Sequence, residues 1–384
     1  MNNFLPVFYF FTETQNQLFK KWLCYEKGSI FIAFKDAIYP LYFNLFLSYN
    51  EEKKEEKYMK VSFFSVRDDE IDYIHQYAKK YDIEIDIHRD ALTLDNVDLC
   101  QGSQAISIMT TKTDEAIIKK LSDYQVVYIS TRTIGFDHID LMACEKYGIH
   151  VGNVSYSLAS VAEYTVMMIL MALRNMKLIV ERFASQDFSL NRIRGKELTH
   201  LTVGIIGTGK IGQEVIRYLS GFSCHIIAYD RYPQESLKDD VEYVDLETLW
   251  KRSDVISLHA PSMESTYHMI NKDSIQKMKD GVVIINTARG SLIDTDDLIV
   301  GIENQKIGYA ALDVVENESH LYYQEYKNEV INHHQLAILR SFPNVLLTPH
   351  TAFFTHQAVS DMVEYSIISA KATYEHQENP WLIL

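Results

Sequence analysis

The sequence predicts an α/β protein built from two doubly wound parallel-sheet domains, and three observations carry that prediction. From residue 59 onward short apolar runs alternate with amphipathic helical blocks, the pattern of parallel strands covered by helices on both faces. A long apolar helix divides this alternation into two series. The second series opens on Gly207-Thr208-Gly209-Lys210-Ile211-Gly212, a glycine turn between a strand and a helix. A chain of 384 residues, 47% hydrophobic and 23% charged, has the length and composition for two or three such domains at about 100–200 residues each.

Residues 1–58 stand apart. They are dense in Phe and Tyr, show no sustained period, and end in a charge run at 51–57. Met59 then leads directly into a buried strand, so 1–58 reads as an appendage outside the fold, of the kind an upstream over-extension of the reading frame produces; a docking arm is the alternative. In the first series, strands fall at 61–66, 84–88, 105–109, 126–130 and 150–153, with helices at 68–81, 113–122 and 138–147. The dividing helix spans 160–174. Ser160 with Glu163 three positions on fits a capping box, and an apolar surface on nearly all sides suits burial between two domains. In the second series, strands fall at 201–206, 225–229, 255–259, 282–286, 310–313 and 345–348.

Composition excludes several function classes. The formal charge of −15 repels phosphate backbones, which argues against a nucleic-acid partner. No apolar run reaches membrane-spanning length, and the start of the chain lacks the basic region and small-residue cleavage site of a secretory leader. Cys24, Cys100, Cys144 and Cys224 are far apart and have no metal-ligand spacing. The expectation is a cytoplasmic protein with reduced thiols, no metal and no membrane.

The glycine block has a specific physical use. Gly207 permits the tight turn, Gly209 lets the backbone approach a pyrophosphate, and Gly212 lets helix and strand pack closely. The helix N-terminus offers free amides to the phosphate. Asp230 ends the next strand, where a carboxylate suits a ribose diol and repels a 2′-phosphate, although Arg231 beside it weakens that exclusion. The implied cofactor is NAD.

Polar groups also follow later strands, at the edge where an open α/β sheet places its ligands. Arg289 lies just beyond 282–286, Asp313 ends 310–313 with Glu316 and Glu318 beyond it, and His350 follows 345–348. Reducing a keto acid by hydride needs a cation to hold the carboxylate and polarise the carbonyl. It also needs an acid to protonate the nascent alkoxide. Arg289 fits the first task and His350, favoured in its charged form by a carboxylate, fits the second.

From about residue 59 to the end, the chain resembles the D-isomer-specific 2-hydroxyacid dehydrogenases, most closely their D-lactate and vancomycin-resistance-type branch. The resemblance rests on Tyr128-Ile129-Ser130-Thr131-Arg132-Thr133-Ile134-Gly135, Val161-Ala162-Glu163-Tyr164-Thr165, Leu258-His259-Ala260-Pro261 and the blocks 201–212, 286–290, 310–313 and 348–352. It implies Arg289 as substrate clamp, Glu318 as the carboxylate paired with the catalytic histidine, and His350 as proton donor. It also implies that amides of Thr133, Ile134 and Gly135 receive the substrate carboxylate, with Tyr156 and Phe353 beside the side chain. Lys210, Ile211, Asp230, Ala260, Pro261, Thr266, Thr287 and Ala288 fall at dinucleotide-contact positions, and Asp313 lies near the nicotinamide.

The resemblance further implies a Rossmann NAD-binding domain at 159–352 inserted into a flavodoxin-like substrate domain of 59–158 and 353–384, in a homodimer. Leu158 stands where many members have Pro, and Phe353-Phe354 where lactate-type members often have an aromatic followed by Tyr. Neither departure removes a catalytic group. The expected reaction is reduction of pyruvate to D-lactate. The alternatives are a larger branched keto acid or, further off, a nucleotide-sensing protein of the corepressor kind.

Overall fold

The computed structural model describes residues 59–318 and 321–384, so the expectations for 1–58 fall outside the described residues. Residues 59–384 form a unit of their own. Its first sheet has the strands β1 (Lys60–Phe63), β2 (Glu84–Ile87), β3 (Ala105–Ile108), β4 (Tyr128–Thr131) and β5 (His150–Gly152) in the order β2-β1-β3-β4-β5, all parallel. Every residue of β3 and β4 is buried, because helices cover both faces. These helices are α1 (Ile71–Tyr81), α2 (Glu115–Asp123) and α3 (Leu141–Tyr147). The last two begin later than their apolar period suggests. Asp114 and Asp140 accept amide hydrogen bonds from the first turns and so set the N-termini at Glu115 and Leu141.

The dividing helix, α4 (Leu158–Leu173), corrects the sequence reading in two ways. It begins two residues before Ser160, whose hydroxyl donates to the Ser157 carbonyl instead of capping. Apart from its first turns, it lies on one sheet and not between two domains. Val166, Met168, Ile169, Ala172 and Leu173 pack with Val203, Ile205, Val215 and Val283 of the second sheet, while Met167 remains exposed. A short helix, α5 (Met176–Ala184), follows it.

The second sheet contains β6 (Thr202–Ile206), β7 (His225–Tyr229), β8 (Glu242–Tyr243), β9 (Val255–Leu258), β10 (Val282–Asn286), β11 (Ile307–Leu312) and β12 (Val345–Leu347). Its order is β12-β11-β10-β9-β6-β7-β8, parallel throughout. The order reverses direction at β6, which opens a crevice beyond the carboxyl ends of β6 and β9, where doubly wound sheets take ligands. The covering helices are α6 (Lys210–Ser220), α7 (Leu246–Arg252), α8 (Lys272–Lys277), α9 (Thr295–Glu303) and α10 (His334–Ser341).

The chain then returns to the first sheet through α11 (His356–Tyr374). Val363, Ile367 and Ala370 enter the core formed by Val61, Phe63 and Ile74, and Ser366 bonds Ser107 at 2.7 Å. The terminal residues extend that sheet, with the Ile383 amide donating to Val151 and the Val151 amide to Leu384. Two doubly wound α/β domains therefore stand with the ends of β4 and β5 supplying one set of loops, and those of β6, β7, β9, β10 and β11 another.

Candidate active site

The glycine turn has the form its three glycines imply. Gly207 sits at φ +95°, and a Cβ there would meet the His259 carbonyl at 2.7 Å. At Gly212 a Cβ would lie 2.1 Å from the Gly207 oxygen, so the helix packs on the turn only because no side chain intervenes. Gly209 caps α6, and a Cβ built there meets nothing within 4 Å. That open space in front of the helix amides, next to exposed Lys210, fits a dinucleotide pyrophosphate.

Asp230 stands at the end of β7 and braces the turn from below. One carboxylate oxygen accepts from the Thr208 amide at 2.6 Å and its hydroxyl at 3.0 Å, and the other accepts from the Tyr232 amide. The remaining expected contact positions follow β9, β10 and β11 at the same sheet edge. Thr266 folds the loop after Ala260 and Pro261, its hydroxyl donating to the Pro261 carbonyl at 2.6 Å. Thr287 is buried and bonds Thr165 at 2.8 Å, and Ala288 leads into Arg289. Ile211 is half-buried behind the turn. His259, beneath it, is pushed down to about 4 by burial alone and bonds Ser257 at 2.9 Å, so it is neutral.

His350 follows β12 at φ +53°, a left-handed conformation uncommon for a residue with a side chain. Its amide donates to the Asp313 carbonyl at 2.8 Å and its carbonyl accepts from the Tyr323 hydroxyl at 3.0 Å. The three carboxylates after β11 have separate tasks. Glu318 Oε1 accepts from His350 Nδ1 at 2.6 Å, while its Oε2 accepts from the Val315 amide at 2.7 Å. Asp313, fully buried, accepts from the Thr348 hydroxyl and the amides of Thr351 and Ala352, fixing the loop that carries His350. Glu316 turns away to His268 at 2.6 Å and to Thr295.

Arg289 projects from the loop after β10 and reaches the first sheet's loops. A Cβ on Gly135 would lie 1.8 Å from Arg289 Nη2, so this loop and the guanidinium meet only because position 135 is glycine. Thr133 donates to the Gly135 carbonyl, and Asn153 donates to that of Ile134 at 2.8 Å, so the carbonyls of this loop are held in place. Asp137 approaches Arg289 at 3.8 Å. Tyr156, its phenol pushed up to about 12 by burial, lies 6.1 Å from the Phe353 ring, and Phe353 in turn lies 6.5 Å from His350. The guanidinium, the imidazole–carboxylate pair and two aromatic rings thus meet where the loops of both sheets face each other.

Several residues here escaped the sequence reading. Asn286 is fully buried; its amide donates to the Arg289 carbonyl at 2.8 Å and its oxygen accepts from Ala288, which shapes the loop that aims Arg289. Position 286, at a strand end just before the arginine, was the only available signal. Tyr323, with its ring 6.4 Å from Phe353, and Arg67, with its guanidinium 5.8 Å from the same ring, had no motif to mark them. Among the described residues, no group of three or more His, Cys, Asp or Glu gathers to hold a metal.

Comparison with known proteins gives a consistent result. The family model for the NAD-binding domain of D-isomer specific 2-hydroxyacid dehydrogenases matches residues 166–352. The chain is 42% identical over 312 residues to a D-specific alpha-keto acid dehydrogenase of Enterococcus faecalis, covering 81% of this chain and 95% of the relative. It is also 42% identical over 314 residues to an aromatic 2-oxoacid reductase of Clostridium sporogenes, again covering 81% of this chain and 95% of the relative. A solved D-lactate dehydrogenase of Treponema pallidum aligns with a TM-score of 0.77 at 32% identity, covering 85% of this chain and all of that one.

Proposed function

This chain belongs to the D-isomer-specific 2-hydroxyacid dehydrogenases and is an NAD-dependent oxidoreductase, and from that premise we propose that it reduces pyruvate, or a 2-keto acid only slightly larger, to the D-2-hydroxy acid. The observation that carries the reading is the His350–Glu318 contact at 2.6 Å, supported by Arg289, which reaches Gly135 from the same sheet edge. Arg289 forks onto the substrate's carboxylate and keto oxygens and draws negative charge onto the carbonyl. Thr133, Ile134 and Gly135 supply amides to the carboxylate. Bound NADH supplies the hydride. His350 donates a proton from Nε2 to the oxygen that becomes the hydroxyl, while Glu318 holds Nδ1 and balances the imidazolium charge. Tyr156 and Phe353 close the side-chain pocket and keep water from the reacting carbon.

In the cofactor half, Gly207, Gly209, Lys210, Ile211 and Gly212 cradle the pyrophosphate and Asp230 takes the ribose diol. Ala260, Pro261, Thr266, Thr287 and Ala288 line the way to the nicotinamide, while Asp313, buried, acts from beneath by fixing the loop of His350. We divide the chain into a substrate domain of 59–158 and 353–384 and a cofactor domain of 159–352. The same reading makes the protein a cytoplasmic homodimer. Supporting the dimer, Val166, Met167, Leu170 and Met171 line an open apolar groove of about 590 Å³, with Val180, Phe183, Phe188 and Leu190 exposed nearby in sequence. Supporting the cytoplasm, Cys100, Cys144 and Cys224 are free thiols.

A second reading, a preference for larger branched or aromatic side chains, is favoured by the ring cluster of Tyr156, Tyr323 and Phe353. Rates across a series of 2-keto acids with NADH and NADPH decide between them. The small-substrate reading expects pyruvate to lead; a clear lead for 2-ketoisocaproate or phenylpyruvate would transfer the assignment to the second.

A further inference from the structure

The first sheet contains a buried ionic chain that the reaction itself does not use. Arg132 and Glu70 have fully buried side chains, and Arg132 Nε donates to Glu70 Oε1 at 2.9 Å. Nη1 donates to the Ser107 hydroxyl and Nη2 to the carbonyls of Phe64 and Ser65. Glu70 Oε2 accepts from the Arg67 amide at 2.9 Å, and Arg67 Nη1 approaches it at 3.7 Å. The Arg67 guanidinium itself is bidentate on Asp69 and lies over two rings, 5.8 Å from the centre of Phe353 and 5.5 Å from that of Phe354.

Both ends of this chain border the substrate pocket. Arg132 immediately precedes Thr133, the first residue of the carboxylate loop, and its four guanidinium hydrogen bonds pin the end of β4 from which that loop departs. Arg67 packs against the aromatic wall three residues beyond His350. A buried ion pair of this kind is poor evidence of stabilisation, since desolvation offsets most of its attraction, but it does fix geometry. Asp69 and Glu70 balance the two arginines, so no net cation is left to bind a second substrate carboxylate.

We propose that Glu70, with Arg132 and Arg67, forms a positioning device that sets the distance between the carboxylate loop at 133–135 and the Phe353 wall, and thereby fixes the size of keto acid the pocket accepts. The inference rests on the keto-acid reductase reading above. Misplacing a reacting group by 1 Å costs about a hundredfold, so a smaller shift of the loop costs about tenfold. The loop end of the device acts on every 2-keto acid through its carboxylate. The wall end acts on the side chain alone.

The test uses the whole protein and four measurements: NADH affinity by fluorescence, affinity of the NADH complex for oxamate (an unreactive isostere of pyruvate), KM and kcat. Glu70→Gln is expected to raise the pyruvate KM about tenfold and weaken oxamate by the same factor, with kcat within about threefold and NADH affinity unchanged. Arg67→Met is expected to change the ratio of kcat/KM for phenylpyruvate to that for pyruvate by about fivefold, and Arg67→Lys to restore most of it. If Glu70→Gln yields no folded protein, the two Arg67 variants decide alone. An unchanged phenylpyruvate-to-pyruvate ratio in Arg67→Met overturns the proposal, as does a loss of NADH affinity parallel to that of oxamate. Failure of the unmodified protein to reduce any keto acid would instead overturn the reading beneath it.

Discussion

The loop edges of the two sheets reach similar ends by different means. On the cofactor side the work falls to backbone: Gly207, Gly209 and Gly212 leave amides and open space at the start of α6, and one carboxylate, Asp230, braces the turn. On the substrate side a single glycine, Gly135, admits Arg289 from the other sheet, and the loop around it is held by side chains from distant segments. The first arrangement is local and tolerates change elsewhere in the chain. The second depends on contacts between residues such as Glu70 and Arg132, 62 positions apart. Damage to the two edges should therefore separate cleanly, into loss of cofactor binding or loss of keto-acid handling.

The largest separation is expected from the groups proposed to act in the reaction. His350→Ala and Arg289→Ala should each lower kcat/KM about a thousandfold or more while NADH affinity stays within about twofold. Steady-state kinetics alongside NADH fluorescence titration check this, and a parallel loss of NADH binding would break the division. Next come the glycines. A Cβ at Gly135 lies 1.8 Å from Arg289 Nη2, so Gly135→Ala should cost roughly a hundredfold in kcat/KM with NADH affinity intact. Gly212→Ala, whose Cβ meets the Gly207 oxygen at 2.1 Å, should show the reverse pattern, with the NADH affinity lost first.

This contrast also explains what the sequence could reveal. The strand-end positions of the glycine turn, Asp230, Arg289 and His350 were legible because strand ends in a parallel sheet fix position without knowledge of distant contacts. Glu318 was separable from Asp313 and Glu316 only by family resemblance. The structure gives the physical reason for the difference: Asp313 is spent on the loop of His350 and Glu316 on His268 and Thr295. Arg67, Asn286 and Tyr323 stayed hidden because their roles arise from tertiary neighbours. Helix α4 misled for a related reason. Its all-round apolar surface suggests double burial, yet beyond its first turns one side faces the second sheet and the other forms the open groove.

Cofactor choice should show an intermediate effect. Asp230 would face the extra phosphate of NADPH with a like charge, so NADH should be preferred roughly a hundredfold in kcat/KM. Equal efficiency with the two would mean that Arg231 governs the site. A smaller effect concerns acid stability. His138, on the substrate edge, and His259, on the cofactor edge, are both pushed down to about 4, chiefly by burial. The unfolded chain takes up protons near pH 6.5 that the folded protein refuses until about pH 4. The stability tied to each neutral imidazole is therefore full above pH 6.5 and falls as pH drops through that window, by about 1–2 kcal/mol each at pH 5. Melting of His138→Asn and His259→Asn at pH 7 and pH 5 should show a shallower acid loss than the unmodified protein; an unchanged loss in both would contradict the neutral assignment.

The smallest effect is expected from removing residues 1–58. Met59 is buried against Val61 and Phe63 at the start of β1, so residues 59–384 should fold and retain activity within about twofold. Insoluble or inactive protein after that truncation would place the segment inside the working molecule.

The central claim, that the two edges together perform reduction to the D-hydroxy acid, is met most directly by one measurement: incubation of the purified protein with NADH and pyruvate, followed by chiral analysis of the product. The account predicts D-lactate formed in step with NADH oxidation, and no L-lactate. L-lactate as the product, or NADH left unoxidised with every 2-keto acid tried, would contradict it.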